Sequence, residues 1–198
     1  MALDFSLRII QNEIVLLEPL NDSQLDAICE AMIPDPLGWY SVMFGLNTRE
    51  AFFEEIKNSE KYLDAEIGMG FLIRDKKTKQ IAGMSFYLKM DSENRHLEIG
   101  STNIASRFRR TVVNTATKLA MLAEAFEKMN CVRVSFRVDE DNLISEKAIE
   151  RIGAVYGGYL RNERILPDGR VRNYKFYSIV DSEWPLVKKR LQQLVSRR

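Results

Sequence analysis

A cluster of basic and polar residues lies directly ahead of the most regular helical pattern in the sequence. The cluster is Arg107-Phe108-Arg109-Arg110-Thr111, and the apolar residues that follow it recur at steps of three and four. The first turn of a helix exposes unpaired backbone NH groups and the positive end of the helix dipole, and arginines add further donors for phosphate oxygens. The pattern therefore indicates an anion site, although a merely solvated basic loop would have the same composition.

Three polar residues elsewhere could take part in acid–base chemistry or ligand binding. Glu98 lies in a strand-like run, where partial burial would raise the pKa of its carboxyl and suit it to accept a proton from a substrate. Ser145 lies in the first turn of a short helical pattern and could donate a proton to a leaving group, while Asn142 lies at the start of that pattern. A structural ion pair for Glu98, local backbone hydrogen bonds for Ser145 and helix capping for Asn142 are equally compatible with these positions.

The remaining candidates for metal or nucleophilic chemistry lack partners in the sequence. His96 is the single histidine, and Cys29 and Cys131 are too far apart to form a CxxC unit. We therefore predict no metal site, assign His96 no chemical role and expect both thiols to be reduced and packed.

The elements that would hold these residues follow from the apolar periodicity. Alternating or apolar runs predict strands, and three- and four-residue apolar steps predict helices, including one that follows the basic cluster with Lys118, Glu124 and Lys128 facing solvent. Strands and helices together predict a single α/β domain (an α+β mixed sheet) over residues 1–198, with helices covering the sheet. The predicted strands are 13–17, 71–74, 81–88, 96–104, 132–138, 154–166 and 171–180; the helices follow Ser23, Thr48, Thr111, Asn142 and Ser182.

The bulk composition excludes several classes of protein. Lysine and arginine total 29 against 28 for aspartate and glutamate, so a net charge of +1 provides no overall attraction to nucleic acid or to a membrane surface. The opening residues lack the pattern of a secretory signal, and no apolar run approaches the ~20 residues of a spanning helix. We predict a soluble, cytoplasmic protein with no nucleic-acid or membrane partner, whose oligomeric state is left open.

Several motifs in order resemble the GNAT superfamily of acetyltransferases, specifically its ribosomal-protein N-terminal acetyltransferase (RimJ/RimL-like) branch. The similar segments are Glu98-Ile99-Gly100 with Thr102 on a strand, the run from Arg109 to Thr115, and Asn142-Leu143-Ile144-Ser145 continuing to Gly153-Ala154. The segments 166–170 and 181–185 also resemble the C-terminal pattern of this branch. The resemblance extends from Glu13 to Leu191.

The resemblance implies a GNAT fold, a mostly antiparallel central sheet that splays at the cofactor site, and acetyl-CoA or CoA as the co-substrate. It implies that the pantetheine arm pairs with the backbone around Thr102, Asn103 and Ile104, and that Asn142 and Ser145 lie near the thioester. The turn that would bind the pyrophosphate comprises Arg109, Arg110, Thr111, Val112, Val113, Asn114 and Thr115.

Three positions depart from the family pattern. Val112 replaces the first glycine of the pyrophosphate turn, which adds a branched side chain but keeps the NH donor. Ile149 replaces the tyrosine that many relatives use to protonate the thiolate, which leaves Ser145 as the substitute acid, and Asn103 replaces a frequent tryptophan.

The sequence thus predicts an N-acetyltransferase acting on a primary amine, either a protein N-terminus or a small molecule. A non-catalytic module of the same fold that binds CoA or a partner is the alternative, and a nucleic-acid-binding module is a distant third.

Overall fold

The computed structural model describes residues 8–32, 68–166 and 169–196 of the chain. The helix predicted after Thr48 lies outside these residues, as does the aromatic pair Trp39 and Tyr40. None of the described helices is both long and apolar enough to cross a bilayer.

Eight strands in the described residues form one sheet, in the order β1-β2-β3-β4-β5-β6-β8-β7. Every neighbouring pair is antiparallel except β5 and β6, which are parallel. The predicted mixed, mostly antiparallel sheet is therefore confirmed. The strands are β1 Ile10–Gln11, β2 Val15–Pro19, β3 Gly68–Asp75, β4 Ile81–Asp91, β5 His96–Ile104, β6 Arg133–Asp139, β7 Val155–Ile165 and β8 Val171–Val180.

Four helices are described, and each coincides with a predicted one. They are α1 Leu25–Met32, α2 Val113–Ala123, α3 Leu143–Ile152 and α4 Trp184–Ser196. Past Ala123, α2 continues as a wider π-type turn over Glu124–Lys128. Gly153 ends α3 in the left-handed conformation with φ of 101°, as its position after the last apolar residue predicts.

Alternate residues of β4 and β5 face opposite sides of the sheet. The Tyr87 hydroxyl donates a hydrogen bond to the Met121 carbonyl of α2 at 2.6 Å, so Tyr87 and its partner Ile99 face α2. Glu98 pairs with Leu88 and therefore faces the other side. The helices α3 and α4 share the α2 side, because Arg151 of α3 bonds to Thr115 and Trp184 of α4 stacks on Phe126.

The parallel strands β5 and β6 separate shortly after they meet. Their pairing covers three residue pairs, the last being Glu98 with Ser135, although β5 continues to Ile104 and β6 to Asp139. The register between β4 and β5 also shifts between Met84 and Phe86, where Ser101 has a φ of 45°. A gap therefore opens between β5 and β6, and its narrow end lies just beyond Glu98.

Candidate active site

The N-termini of two helices lie at the carboxyl ends of β5 and β6, beside the gap between these strands. Because β5 and β6 are parallel and each is followed by a helix, α2 and α3 begin at the same edge. The Nη2 of Arg151 in α3 donates a hydrogen bond of 2.9 Å to Thr115 Oγ1 in the first turn of α2. The segments 109–115 and 142–145, which the sequence assigned to one site, thus follow the carboxyl ends of neighbouring parallel strands, and Arg151 ties the last turn of α3 to the first turn of α2.

The first turn of α2 presents several unused backbone donors. The first main-chain bond of the helix runs from Ala116 NH to the Val112 carbonyl, and Val113 NH reaches the Thr111 hydroxyl at 3.3 Å. Within the described residues, the NH groups of Val112, Asn114 and Thr115 have no hydrogen-bond partner. These donors and the positive end of the helix dipole form an anion site of the predicted kind.

Val112 does not need the conformational freedom of glycine. It lies immediately before the helix with φ of −69° and ψ of −16°, an ordinary helical conformation, and its side chain packs partly buried against the core. Arg110 instead has the left-handed conformation in this turn, with φ of 58°. The valine is thus compatible with the backbone of the turn, and its NH group is unpaired as the glycine's would be.

The side chains of the basic turn are partly used to hold its shape. Arg109 Nε donates to the carbonyl of Ile104 at 3.0 Å, and the Thr111 hydroxyl donates to the Phe108 carbonyl at 2.6 Å. Arg110 is exposed, whereas Val113 is buried in the core. The Oδ1 of Asn114 is buried and has no hydrogen-bond partner in the described residues. Buried polar atoms are usually paired, so this acceptor is consistent with a ligand at the turn.

The segment of β5 beyond Glu98 faces the gap with a row of polar groups. Thr102 Oγ1 lies 2.7 Å from Ser85 Oγ and accepts a hydrogen bond of 2.6 Å from Lys118 Nζ of α2. Asn103 pairs with Met84 across β4, and Ile104 is the last residue of the strand. Since β6 has already separated, this segment has no strand neighbour on its β6 side within the described residues.

Sequence reasoning missed Lys118. The helical pattern predicted that Lys118 and Glu124 would face solvent, but both are buried, with exposed fractions of 6% and 3%, so this prediction is wrong. The buried residues of α2 extend around more of the helix than one face, because α2 packs against both the sheet and α4. Met121 and Leu122, which lie three and four residues after Lys118 on the same face of the helix, could have signalled an inward-facing Lys118.

Glu98 is buried on the side of the sheet facing away from α2. Its Oε2 lies 3.0 Å from Arg137 Nε and 3.9 Å from Lys89 Nζ, and the Arg137 N–H does not point at the oxygen, so both contacts are ion pairs without an aligned hydrogen bond. Burial raises the pKa of Glu98 above its ordinary range, and the two cations offset only part of the effect. Thus, both the predicted raised pKa and the ion pair suggested as a structural alternative are present.

The start of α3 positions the other two predicted residues. Asn142 Oδ1 accepts a hydrogen bond of 3.0 Å from Ser145 NH, so Asn142 caps the helix. The Ser145 hydroxyl is half-buried and forms no hydrogen bond with the described residues, so it does not serve the local backbone. Ile149, one turn later, is buried in the core.

Comparisons with known proteins identify the family and the fold. A family model described as an acetyltransferase (GNAT) domain matches residues 15–155. A protein from T. thermophilus, named as an acetyltransferase, is 32% identical over 96% of this chain and 97% of its own, with a TM-score of 0.81. The chain belongs to the GNAT acetyltransferase family, whose members transfer acetyl groups from acetyl-CoA.

Two more distant structures share the fold. A GCN5-related N-acetyltransferase from Brucella melitensis is 24% identical over 95% of this chain and 85% of its own, with a TM-score of 0.85. A Vibrio cholerae protein named as a ribosomal-protein-serine acetyltransferase is 15% identical over 91% of this chain and 99% of its own, with a TM-score of 0.71. No protein in a search of curated sequences matches significantly.

Proposed function

We propose that this protein is an acetyl-CoA-dependent N-acetyltransferase of the RimJ/RimL-like branch that transfers an acetyl group to a primary amine by direct attack. The observation that carries the proposal is the gap between β5 and β6 beside the unpaired NH groups of Val112, Asn114 and Thr115. The acceptor is either a protein N-terminus or a small-molecule amine.

The residues present fit acetyl-CoA in the orientation that the family implies. The NH groups at the start of α2, with Arg109 and Arg110 beside them, would bind the pyrophosphate. The part of β5 from Thr102 to Ile104 would pair with the amide groups of the pantetheine arm, because no strand of the described ranges pairs with it on that side. When bound, the thioester supplies the activated acetyl group.

Glu98 and Ser145 would handle protons on either side of the transfer. Glu98 accepts a proton from the incoming amine, directly or through water, for which its raised pKa is suitable. Backbone NH groups on the separated part of β5 polarise the thioester carbonyl, and Ser145 donates a hydrogen bond and a proton to the leaving sulfur. No covalent intermediate with the enzyme is needed.

A second candidate is a non-catalytic module of the same fold that binds CoA or a partner. Ile149 favours it, because this residue is buried and leaves α3 without the tyrosine that many relatives use as an acid. An acetylation screen over N-terminal peptides, polyamines, amino acids and antibiotic amines, with release of free thiol as the readout, separates the two. Turnover that depends on both acetyl-CoA and an amine supports the transferase, and tight CoA binding without turnover of any amine supports the module.

A further inference from the structure

Lys118 is a buried cation at the narrow end of the gap between β5 and β6. Its Nζ lies 2.6 Å from Thr102 Oγ1 on β5 and 5.9 Å from the centre of the Phe136 ring on β6. Phe136 is one residue beyond the last residue pair of these strands, so the amine joins the two strands where their backbone pairing has ended.

No carboxylate among the described residues neutralises this amine. Thr102 on β5 accepts its hydrogen bond, Ser85 on β4 bonds in turn to Thr102, and the Phe136 ring on β6 lies beside it; none of the three is charged. The nearby titratable groups on the same side of the sheet have other partners: Tyr87 bonds to the Met121 carbonyl, Tyr177 to Glu146 and Glu150, and Arg151 to Thr115. Burial alone lowers the pKa of Lys118 to about 7.

A buried charge without a counter-ion is costly, and such groups commonly serve a ligand. The reaction proposed above produces an anion in this gap, because the sulfur of CoA leaves as a thiolate. The neutral Ser145 hydroxyl can stabilise that negative charge only by a hydrogen bond, whereas a buried ammonium ion nearby adds a full positive charge.

We propose that Lys118, as an ammonium ion, stabilises the thiolate of CoA as it departs, through the Thr102 hydroxyl, which accepts a hydrogen bond from Lys118 and donates one to the sulfur. This inference rests on the proposed transferase function. The bond between the acetyl carbon and sulfur breaks, and sulfur keeps the electron pair. Lys118 keeps its proton throughout, and the proton that converts the thiolate to the thiol comes from Ser145, which regains one from solvent.

The first test is the pH dependence of kcat/KM. The kcat/KM of wild type should fall as the pH rises above about 7, because the ammonium form of Lys118 is required. Lys118→Met should lose this alkaline limb and lower kcat by about 10²-fold, and Lys118→Arg should also lose it, since arginine keeps the charge but does not release its proton. Thr102→Val should behave like Lys118→Met, and Thr102→Ser should restore activity.

Matched controls separate this role from a structural one. Lys128→Met removes a lysine from the exposed end of the same helical segment and should keep the wild-type profile, because the side chain of Lys128 is 62% exposed. Lys118→Met should melt no lower than wild type, since it removes an uncompensated buried charge. A Lys118→Met enzyme with a wild-type alkaline limb and kcat within about threefold would overturn the proposal.

The second test needs no turnover. The ultraviolet absorbance of the thiolate is followed while CoA bound to the protein is titrated with acid. Wild-type protein should keep the thiolate at least one pH unit below the point where free CoA loses it, and Lys118→Met should not. If CoA bound to wild type and CoA bound to Lys118→Met lose the thiolate at the same pH, the role of Lys118 is refuted. A persistent thiolate with no amine turnover would refute the transferase alone.

Discussion

Two buried ionisable residues, Lys118 and Glu98, lie on opposite sides of the sheet near the point where β5 and β6 separate. In the folded protein the pKa of Lys118 is about 7, well below its ordinary value, so above that pH the folded chain binds fewer protons than the unfolded chain. Its burial therefore costs stability most fully below pH 7, and the cost is relieved as the pH rises.

We expect the free energy of unfolding to show this linkage. In urea titrations of wild type, Lys118 should contribute a rise of up to about 1.4 kcal/mol per pH unit between pH 7 and 9, a contribution that Lys118→Met lacks. Lys128→Met serves as the control. Parallel pH curves for wild type and Lys118→Met would mean that the lysine keeps its ordinary pKa.

The raised pKa of Glu98 leads to a prediction for catalysis. Burial raises the pKa of its carboxyl, and a general base must be ionised, so kcat/KM should increase with pH through a limb above the ordinary carboxyl range. Glu98→Gln should remove this acid limb and lower kcat, while acetyl-CoA affinity stays within about threefold. An acid limb that persists in Glu98→Gln would return Glu98 to a purely structural ion pair with Arg137.

At the level of single residues, the sequence predicted what depends on strand alternation and missed what depends on packing around a helix. Glu98 lies in a strand-like run, and its predicted partial burial is confirmed. The position of Lys118 depends on how α2 is enclosed by the sheet and α4, which only the tertiary structure defines. The hydroxyl pair of Ser85 and Thr102 likewise comes from two strands and no local pattern indicates it.

At the level of elements, the start of α2 provides a test of the departure at Val112. Its side chain packs against the core and its backbone is helical, so Val112→Gly should change the acetyl-CoA dissociation constant by less than about tenfold. Val112→Asp should bind more weakly, because like-charge repulsion at about 4 Å costs about 1 kcal/mol even in water. Calorimetric titration of the three proteins measures both.

A glycine variant that binds acetyl-CoA more than about a hundredfold tighter than wild type would show that valine obstructs the site. The non-catalytic module would then be the better account of the chain.

The cap of α3 allows a separate measurement. Asn142 accepts a hydrogen bond from Ser145 NH, so Asn142→Ala should lower the free energy of unfolding by about 1 kcal/mol. Asn142→Asp keeps an acceptor at the same position and should lose much less. If Asn142→Ala leaves stability unchanged but lowers activity, the residue acts mainly through the ligand.

The order of the described elements could be predicted from the sequence, whereas two features that shape the site could not. Alternation predicted β6, and apolar steps predicted α2 and α3. The separation of β5 from β6 was expected only from the family resemblance, because periodicity does not reveal where pairing ends. The left-handed conformations at Ser101 and Arg110 are also hidden, since neither residue type marks such a position.

For the molecule as a whole, ligand binding should appear as thermal stabilisation. A ligand that binds only the folded state at about 1,000 times its dissociation constant adds about 4 kcal/mol, which raises Tm by roughly 10 °C for a chain of this size. Millimolar acetyl-CoA should have this effect if its affinity is micromolar, and adenosine alone should have little. An unmoved melting curve would count against a cofactor site at the start of α2.

The outer edge of the sheet carries a consequence for handling the protein in solution. The edge strand β7 is eleven residues long, and most of its residues are exposed, including Tyr156 and Ile165. Its register against β8 shifts at two places, between Tyr156 and Gly158 and between Leu160 and Arg164. Such irregularities, with Arg161 and Arg164 on the strand, disfavour continuous pairing with the edge of a second molecule. Straightening this strand or neutralising its arginines should therefore favour edge-to-edge association and precipitation.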